Sequence, residues 1–319
     1  MRYPMKLTFL PKYRIWGGTR LAEEFGKQSE LDRLGESWEL SVREDSMSCV
    51  DNGIFAQKTL ADAILSIGND AVSPTYDGGN FPLLIKLIDA REDLSVQVHP
   101  DDAYAAEKED DLGKTEMWVV LAAEKDARLV FGLREGVDRA AFAAAVKAGK
   151  IADALSFRPV KRGDVFFIPS GMVHAIGAGI VLAEIQQNSD LTYRVYDYDR
   201  RQPDGTLRQL HVAAALDVTR PFTDAEIEKI RYEARTEEDG ENTLAHCRYF
   251  RTERLCIAGE KTLFADEKSF HAILCTEGAG EILFAGERYP VTKGDTYFIP
   301  AKTGEYSLAG DLCALLATV

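Results

Sequence analysis

The stretch VKRGDVFFIP, residues 160–169, recurs as VTKGDTYFIP at residues 291–300. The two share Val, Gly, Asp, Phe, Ile and Pro, six identities in ten at an offset of 131 residues, and Arg162 against Lys293 and Phe166 against Tyr297 are conservative. Each copy reads as a tight Gly-Asp turn, a buried apolar strand and a proline that bends the chain. Two unrelated hairpins with common turn chemistry are the plain alternative, but the match argues for two copies of one β module. Beyond the proline the copies part, SGMVHAIG against AKTGEYSL, so that in register Gly171 falls opposite Lys302 and His174 opposite Glu305. An imidazole is delivered at a glycine-opened turn in the first copy only. One module is therefore read as chemical and the other as structural.

The rest of the chain fits this frame. Gly and Pro punctuate many short apolar runs, among them SWELSV, PLLIKLI, EMWVVLA, ARLVFGL, HAILCTE and GEILFAG, and closely spaced short strands predict a mainly β sandwich or barrel. Helical patterns interrupt them. The run 101–110 starts acidic, 138–149 is Ala-rich with Asp138 as cap and Gly149 as stop, and 223–234 opens with the capping box Thr223–Glu226. A polar break, TEEDGEN at 236–242, sets a module boundary between 220 and 243. We expect a first module over 1–225, with helical insertions near 101–112 and 138–155, and a second over 226–319.

Bulk properties bound the function. The chain has 319 residues, 45% of them hydrophobic, enough for a sizeable core and about two domains. Its 38 basic and 52 acidic side chains leave a net charge of −14, which repels nucleic acid and anionic membrane. An anionic ligand would need a local cluster of Lys or Arg. No apolar run is long enough to span a bilayer and the start has no signal-like apolar core. Five cysteines form no CxxC pair, so scattered reduced thiols in a cytoplasmic protein are expected.

Chemistry gathers around LSVQVHPDD, residues 94–102. Alternate residues of a strand share a face, so Gln97 and His99 point together, opposite Val96 and Val98. Glu116, at the head of EMWVVLA, has the look of a third ligand, and His174 of a fourth. Two imidazoles, a carboxylate and an amide suit Zn²⁺ or another divalent first-row ion. The plain alternative is that His99 caps the following helix and His174 is a satisfied loop histidine. In AEIQQNSDLTYRVYDY (183–198), Glu184, Gln186, Asn188, Asp190, Thr192 and Arg194 alternate with apolar residues. If extended, this is one polar wall, of a cavity or facing solvent. Lys86 sits inside the buried run PLLIKLI and Lys114 lies two before Glu116. With Arg194 they form a candidate cationic patch for a phosphate, although singly each lysine suits a snorkelling surface role.

The spacing Gly163, Pro169, Gly171, His174 resembles the second half of the cupin signature. More specifically, RIWGG, GESWELS, PLLIKLIDAREDLSVQVHPDD, GKTEMWVV, PSGMVHAIGAG and DLTYRVYDYDR resemble the type I mannose-6-phosphate isomerases, especially their short bacterial members. That likeness covers most of residues 10–215 and, more weakly, a C-terminal cupin. It implies two cupin-like jelly-roll barrels and a Zn²⁺-dependent aldose–ketose isomerase, with one Zn²⁺ per chain, acting on a hexose 6-phosphate as a monomer or weak homodimer. By motif, the family's metal ligands fall on Gln97, His99, Glu116 and His174, its active-site arginine on Arg194 and its pocket lysines on Lys86 and Lys114. Its acidic pocket residues fall on Glu184 and Asp190, and Trp16 matches an N-terminal pocket tryptophan. Two departures stand out: Ile176 replaces an aromatic of the longer relatives, and their large helical insertion is missing.

The chemistry so implied passes through a cis-enediol and needs a group to carry a proton between two carbons. Lys114 with a lowered pKa, or Glu184, is the candidate, and Arg194 is expected to hold phosphate or the developing charge. Two other readings use the same residues. His99, Glu116 and His174 could form the facial triad of an Fe²⁺ dioxygenase, or the pocket could bind a sugar phosphate without turnover.

Overall fold

The computed structural model describes residues 1–235 and 240–319, so part of the polar break at 236–242 lies outside the described residues. Three large antiparallel sheets account for the chain. A six-stranded sheet runs in the order Val165–Ile168, Glu116–Ala123, Ile180–Gln187, Leu83–Ala90, Leu10–Gly18 and Leu34–Leu40. Facing it is a five-stranded sheet of Leu155–Pro159, Arg128–Leu133, His174–Ala175, Val96–Val98 and Tyr193–Tyr196. These two enclose the core of the first jelly-roll module. The third, seven-stranded sheet wraps the C-terminal module around its own core of Leu255, Ile273, Tyr297, Tyr306 and Leu316. Its edge is completed by the chain's first strand, Met5–Leu7, paired with Thr296–Ile299.

The central strands of the six-stranded sheet are buried on both faces, which is why they read as continuous apolar runs. In Leu83–Ala90, Leu83, Ile85 and Leu87 enter a core shared with Phe270, Phe298 and Leu315 of the C-terminal module. Ile88 and Ala90 face the other way, into the first barrel, with Trp118, Leu182 and Trp16. Lys86 lies on that second face, so the charge in PLLIKLI points into the barrel interior. Glu116 precedes Trp118 by two residues and Glu184 follows Leu182 by two, so period-2 alternation aims both carboxylates the same way.

The internal repeat is realised atom for atom at its turns. The Asp164 carboxylate accepts from Lys161 N at 2.9 Å and that of Asp295 from Thr292 N at 2.9 Å. Gly163 and Gly294 both have φ of 93°, a conformation that favours glycine. Further on, Gly171 and Lys302, the pair aligned by sequence, are both left-handed, with φ of 84° and 62°. At Gly171 a Cβ would also press on the Val218 carbonyl at 2.9 Å.

The helices start where their caps require. Asp101 accepts from Tyr104 N to begin Asp102–Lys108, Asp138 from Ala141 N to begin Arg139–Lys147, and the Thr223–Glu226 box opens Asp224–Arg231. His99 is therefore not the cap of the helix that follows it. Two expectations are corrected. Cys256 and Cys313 are register partners on adjacent strands and form a disulfide, leaving Cys49, Cys247 and Cys275 free; five reduced thiols had been expected because a cross-strand pair 57 residues apart has no spacing signature. The stretch 183–198 is not one strand either. It leaves the six-stranded sheet at Gln187 and joins the five-stranded sheet at Tyr193. Gln186 is consequently turned inward, donating to the carbonyls of Gln187 and Ser189, and does not line a cavity wall.

Candidate metal centre and sugar-phosphate pocket

Two cross-strand rows face each other between the sheets. On the five-stranded sheet, Gln97 is register partner to His174 on one side and to Arg194 on the other. On the six-stranded sheet, Glu184 is register partner to both Trp118 and Lys86, and Lys86 to Trp38. His99 follows its strand directly, and its carbonyl accepts from Gly171 N at 2.8 Å, which ties the turn that delivers His174 to the segment that carries His99.

His99, Glu116 and His174 bring one donor atom each to within 4.8 Å of one another, the only such cluster of three or more His, Cys, Asp or Glu among the described residues. His99 Nε2 lies 3.6 Å from Glu116 Oε2, His174 Nε2 lies 3.4 Å from Glu116 Oε1, and the Gln97 amide nitrogen lies 3.3 Å from His174 Nε2. Donors about 2.0–2.1 Å from one tetrahedral ion stand roughly 3.4 Å apart, so these separations fit a shared cation. The tautomers fit as well. His99 Nδ1 donates to the Leu191 carbonyl at 2.7 Å and His174 Nδ1 to the Met172 carbonyl at 2.8 Å. Each Nε2 lone pair is thereby left facing the cluster, the usual second-shell device at histidine metal ligands. Gln97 joins through rotation of its amide, whose oxygen and nitrogen exchange places.

Electrostatics point the same way. Burial lowers the pKa of both histidines, His174 to about 4, so both are neutral at pH 7, as ligands must be. Burial, reinforced by Glu184, raises Glu116 to about 7 despite Lys114. Both Glu116 oxygens are buried; Oε1 has no hydrogen-bond partner, and the Lys114 ammonium is the cation against Oε2. A buried carboxylate with one oxygen unpartnered is suited to a further cation. The Lys114 ammonium already leans on the cluster, 2.7 Å from Glu116 Oε2 and 3.2 Å from His99 Nε2.

The adjoining cavity holds about 410 Å³, within the range of small-molecule sites, roughly 300–1,000 Å³. Trp16, Lys86, Gln97, Lys114, Glu184, Asp190 and Arg194 all line it. Lys86 Nζ lies 3.2 Å from Glu184 Oε1 and 3.7 Å from Asp190 Oδ1, and Trp118 donates to Glu184 Oε2 at 2.9 Å. Burial opposes the charge on Glu184, but Lys114 and Lys86 outweigh it and lower its pKa. Burial likewise opposes the charge on Lys114, but Glu116 and Glu184 raise it above the ordinary lysine range. This corrects the expectation of a lowered Lys114: its buried neighbours are anions, and they hold its proton.

Several cavity residues were not assigned a role from the sequence, although Arg14 and Glu36 lie within RIWGG and GESWELS. Arg14 grips Glu36 with two bonds, 2.8 and 2.9 Å, and Trp38 donates to the same carboxylate at 2.8 Å. Alternation within those motifs was the clue to their direction: Arg14 stands two before Trp16, and Glu36 two before Trp38. Arg208 and His211 also line the cavity, from the segment that follows Arg194. Arg194 donates to Ser95 Oγ and the Gln209 carbonyl, and among the described residues no carboxylate is in ion-pair contact with it. Burial and the adjacent Arg208 lower its pKa, and the nearby Asp197 offsets them only in part.

Fold and centre together define a two-module cupin protein with a buried His/Glu/His/Gln cluster opening into a cationic pocket. The description "Phosphomannose isomerase type I, catalytic domain" matches residues 5–125, and "Mannose-6-phosphate isomerase, cupin domain" matches residues 240–318. Mannose-6-phosphate isomerase ManA of Bacillus subtilis is 38% identical over 300 residues, covering 94% of this chain and 93% of that protein. A mannose-6-phosphate isomerase of Streptococcus mutans is 35% identical over 316 residues, covering 98% and 97%. A crystal structure of the Bacillus subtilis mannose 6-phosphate isomerase superposes with a TM-score of 0.90 at 33% identity over 99% of both chains. The chain belongs to the type I mannose-6-phosphate isomerase family.

Proposed function

We propose that the protein is a metal-dependent aldose–ketose isomerase that interconverts mannose 6-phosphate and fructose 6-phosphate. The observation that carries this reading is the convergence of Gln97, His99, Glu116 and His174 at the inner end of a cavity walled by Lys86, Lys114, Glu184 and Arg194. In this reading residues 1–225 form the catalytic module, and 226–319 form a module without metal ligands packed against it. Zn²⁺ bound by the four ligands would supply Lewis-acid polarisation of the sugar's O1 and O2.

The chain's own groups do the rest. Net isomerisation moves one proton from C2 to C1 and one from O2 to O1, through a cis-enediol. Glu184, kept ionised by its two lysines, is the group we assign to carry the carbon-bound proton, with Lys114 and Lys86 stabilising its charge. Lys114, kept protonated, is a donor for a sugar oxygen. Arg194 presents an uncompensated guanidinium to the phosphate or to the negative charge that develops on the enediol oxygens. Asp190 and Trp16 complete the walls that orient the sugar.

A coupled assay of mannose 6-phosphate turnover tests the proposal. Oxygen uptake during turnover would favour an Fe²⁺ dioxygenase, and saturable binding without interconversion would favour a non-catalytic sugar-phosphate receptor. Both are disfavoured by the family, and the dioxygenase also by Gln97 as a fourth donor and by the cationic walls.

A further inference from the structure

We propose that Asp102 is a positioning residue through which the C-terminal module fixes the segment carrying Lys114 and Glu116. This rests on the reading of the cluster as a metal centre. The Asp102 carboxylate accepts four hydrogen bonds. Two come from the C-terminal module: Tyr249 Oη to Oδ2 at 2.7 Å, and the Arg248 guanidinium to the same oxygen. Two come from the catalytic module, Gln187 Nε2 at 2.9 Å and Gly113 N at 3.1 Å, both to Oδ1. Gln187 passes the constraint on. Its Oε1 accepts from Thr115 N at 2.9 Å and its own N–H donates to the Thr115 carbonyl at 3.1 Å. Thr115 lies between Lys114 and Glu116.

The hub touches the segments that bear the site. Asp102 follows His99 by three residues, and Lys114 N donates to the Pro100 carbonyl at 3.0 Å. Gln187 ends the strand that bears Glu184. Phe250, beside Tyr249, packs on Phe167 with ring centres 6.4 Å apart, so the donating turn is seated on the barrel.

A positioning role is needed here for a specific reason. Ligand carboxylates are ordinarily oriented by their own hydrogen bonds; at Glu116 the Lys114 ammonium lies 2.7 Å from Oε2, while Oε1 has no partner. Lys114 and Glu116 flank Thr115, so the aim of this pair depends on the backbone at residue 115, which is held by Gln187 and, through it, by Asp102. This gives the module without metal ligands a task at the metal centre.

The test compares full-length wild type with Tyr249→Phe, Arg248→Ala, Asp102→Asn and Arg162→Ala. Arg162 makes a separate contact between the modules, with Glu277 on the exposed surface. Zn²⁺ affinity is measured by chelator competition, the Co²⁺-substituted proteins by their visible spectra, and turnover by KM and kcat separately. Asp102→Asn is expected to weaken Zn²⁺ binding by about 10–100-fold, with an altered Co²⁺ spectrum and a fall in kcat at nearly unchanged KM. Tyr249→Phe is expected to shift in the same direction and less far, and Arg162→Ala to match wild type. If Asp102→Asn does not fold, Tyr249→Phe and Arg248→Ala carry the test. Variants that lose thermal stability while keeping wild-type Zn²⁺ affinity and Co²⁺ spectrum overturn the proposal and leave the metal centre standing. A wild type that binds no Zn²⁺ overturns both.

Discussion

Lys86 and Glu184 are register partners on adjacent strands, with Nζ 3.2 Å from Oε1 and each side chain only 4% exposed. Breaking a buried pair by deleting one partner strands the other's charge, at a cost of about 3–5 kcal/mol. Here two carboxylates would lose a counter-charge, since Glu36 also leans on Lys86. Lys86→Met is expected to lower unfolding stability by about that amount, measured by urea denaturation at pH 7. A loss below 1 kcal/mol would show that Lys114 and Arg14 suffice to hold both carboxylates.

Arg194 is seated on Ser95 and the Gln209 carbonyl at the cavity wall, away from the main apolar cores. Arg194→Ala should therefore leave the fold intact while cutting turnover of mannose 6-phosphate by about 10²–10³-fold, as for a lost charge-stabilising donor. Steady-state kinetics beside a circular dichroism melt checks this. Near wild-type turnover with the fold intact would remove Arg194 from the mechanism.

The segment after Arg194 is held by Asp197, which pairs with Arg200 at 2.7 Å and, through Oδ2, with Arg208 Nε at 2.7 Å. Burial opposes its charge, but hydrogen bonds from Arg208 and Arg200 outweigh this and lower its pKa. A lowered folded-state pKa adds stability above the unfolded-state value, about 3.9, and that stability is lost as pH falls through the folded-state value. Arginine side chains do not titrate in this range, so the acid limb of the difference belongs to Asp197. The stability gap between wild type and Asp197→Asn should be full at pH 6 and narrow steadily below about pH 4. A gap independent of pH would contradict the assignment.

Cys256–Cys313 closes a separation of 57 residues within the C-terminal module. On chain-entropy grounds such a link is worth about 4 kcal/mol. Adding a thiol reductant, or making Cys256→Ser, should lower the unfolding midpoint to the same new value, read by thermal scanning. Alkylation mass spectrometry of the denatured protein should find three free thiols before reduction and five after it.

What could be read from the chain followed from local rules. Strand alternation paired Gln97 with His99, and the repeated Gly-Asp turn located both modules and the delivery of His174. Register could not be read. The row Trp118, Glu184, Lys86, Trp38 and the disulfide both depend on which strands become neighbours, and no local pattern encodes that. The polar alternation over 183–198 identified a cavity wall correctly for Glu184, Asp190, Thr192 and Arg194 but not for Gln186 or for a single strand, because a turn after Gln187 preserves the spacing while transferring the chain between sheets. Lys114 was misjudged for a similar reason. Burial alone lowers a lysine, and only the assembled fold shows two carboxylates outweighing it.

Interconversion should depend on the metal. Purified protein should be analysed for its elements, stripped with a chelator, dialysed, assayed on mannose 6-phosphate, and assayed again after Zn²⁺ is restored. We expect about one Zn²⁺ per chain, loss of interconversion on stripping, and recovery on restoration. Full activity in a demonstrably metal-free sample would contradict the account.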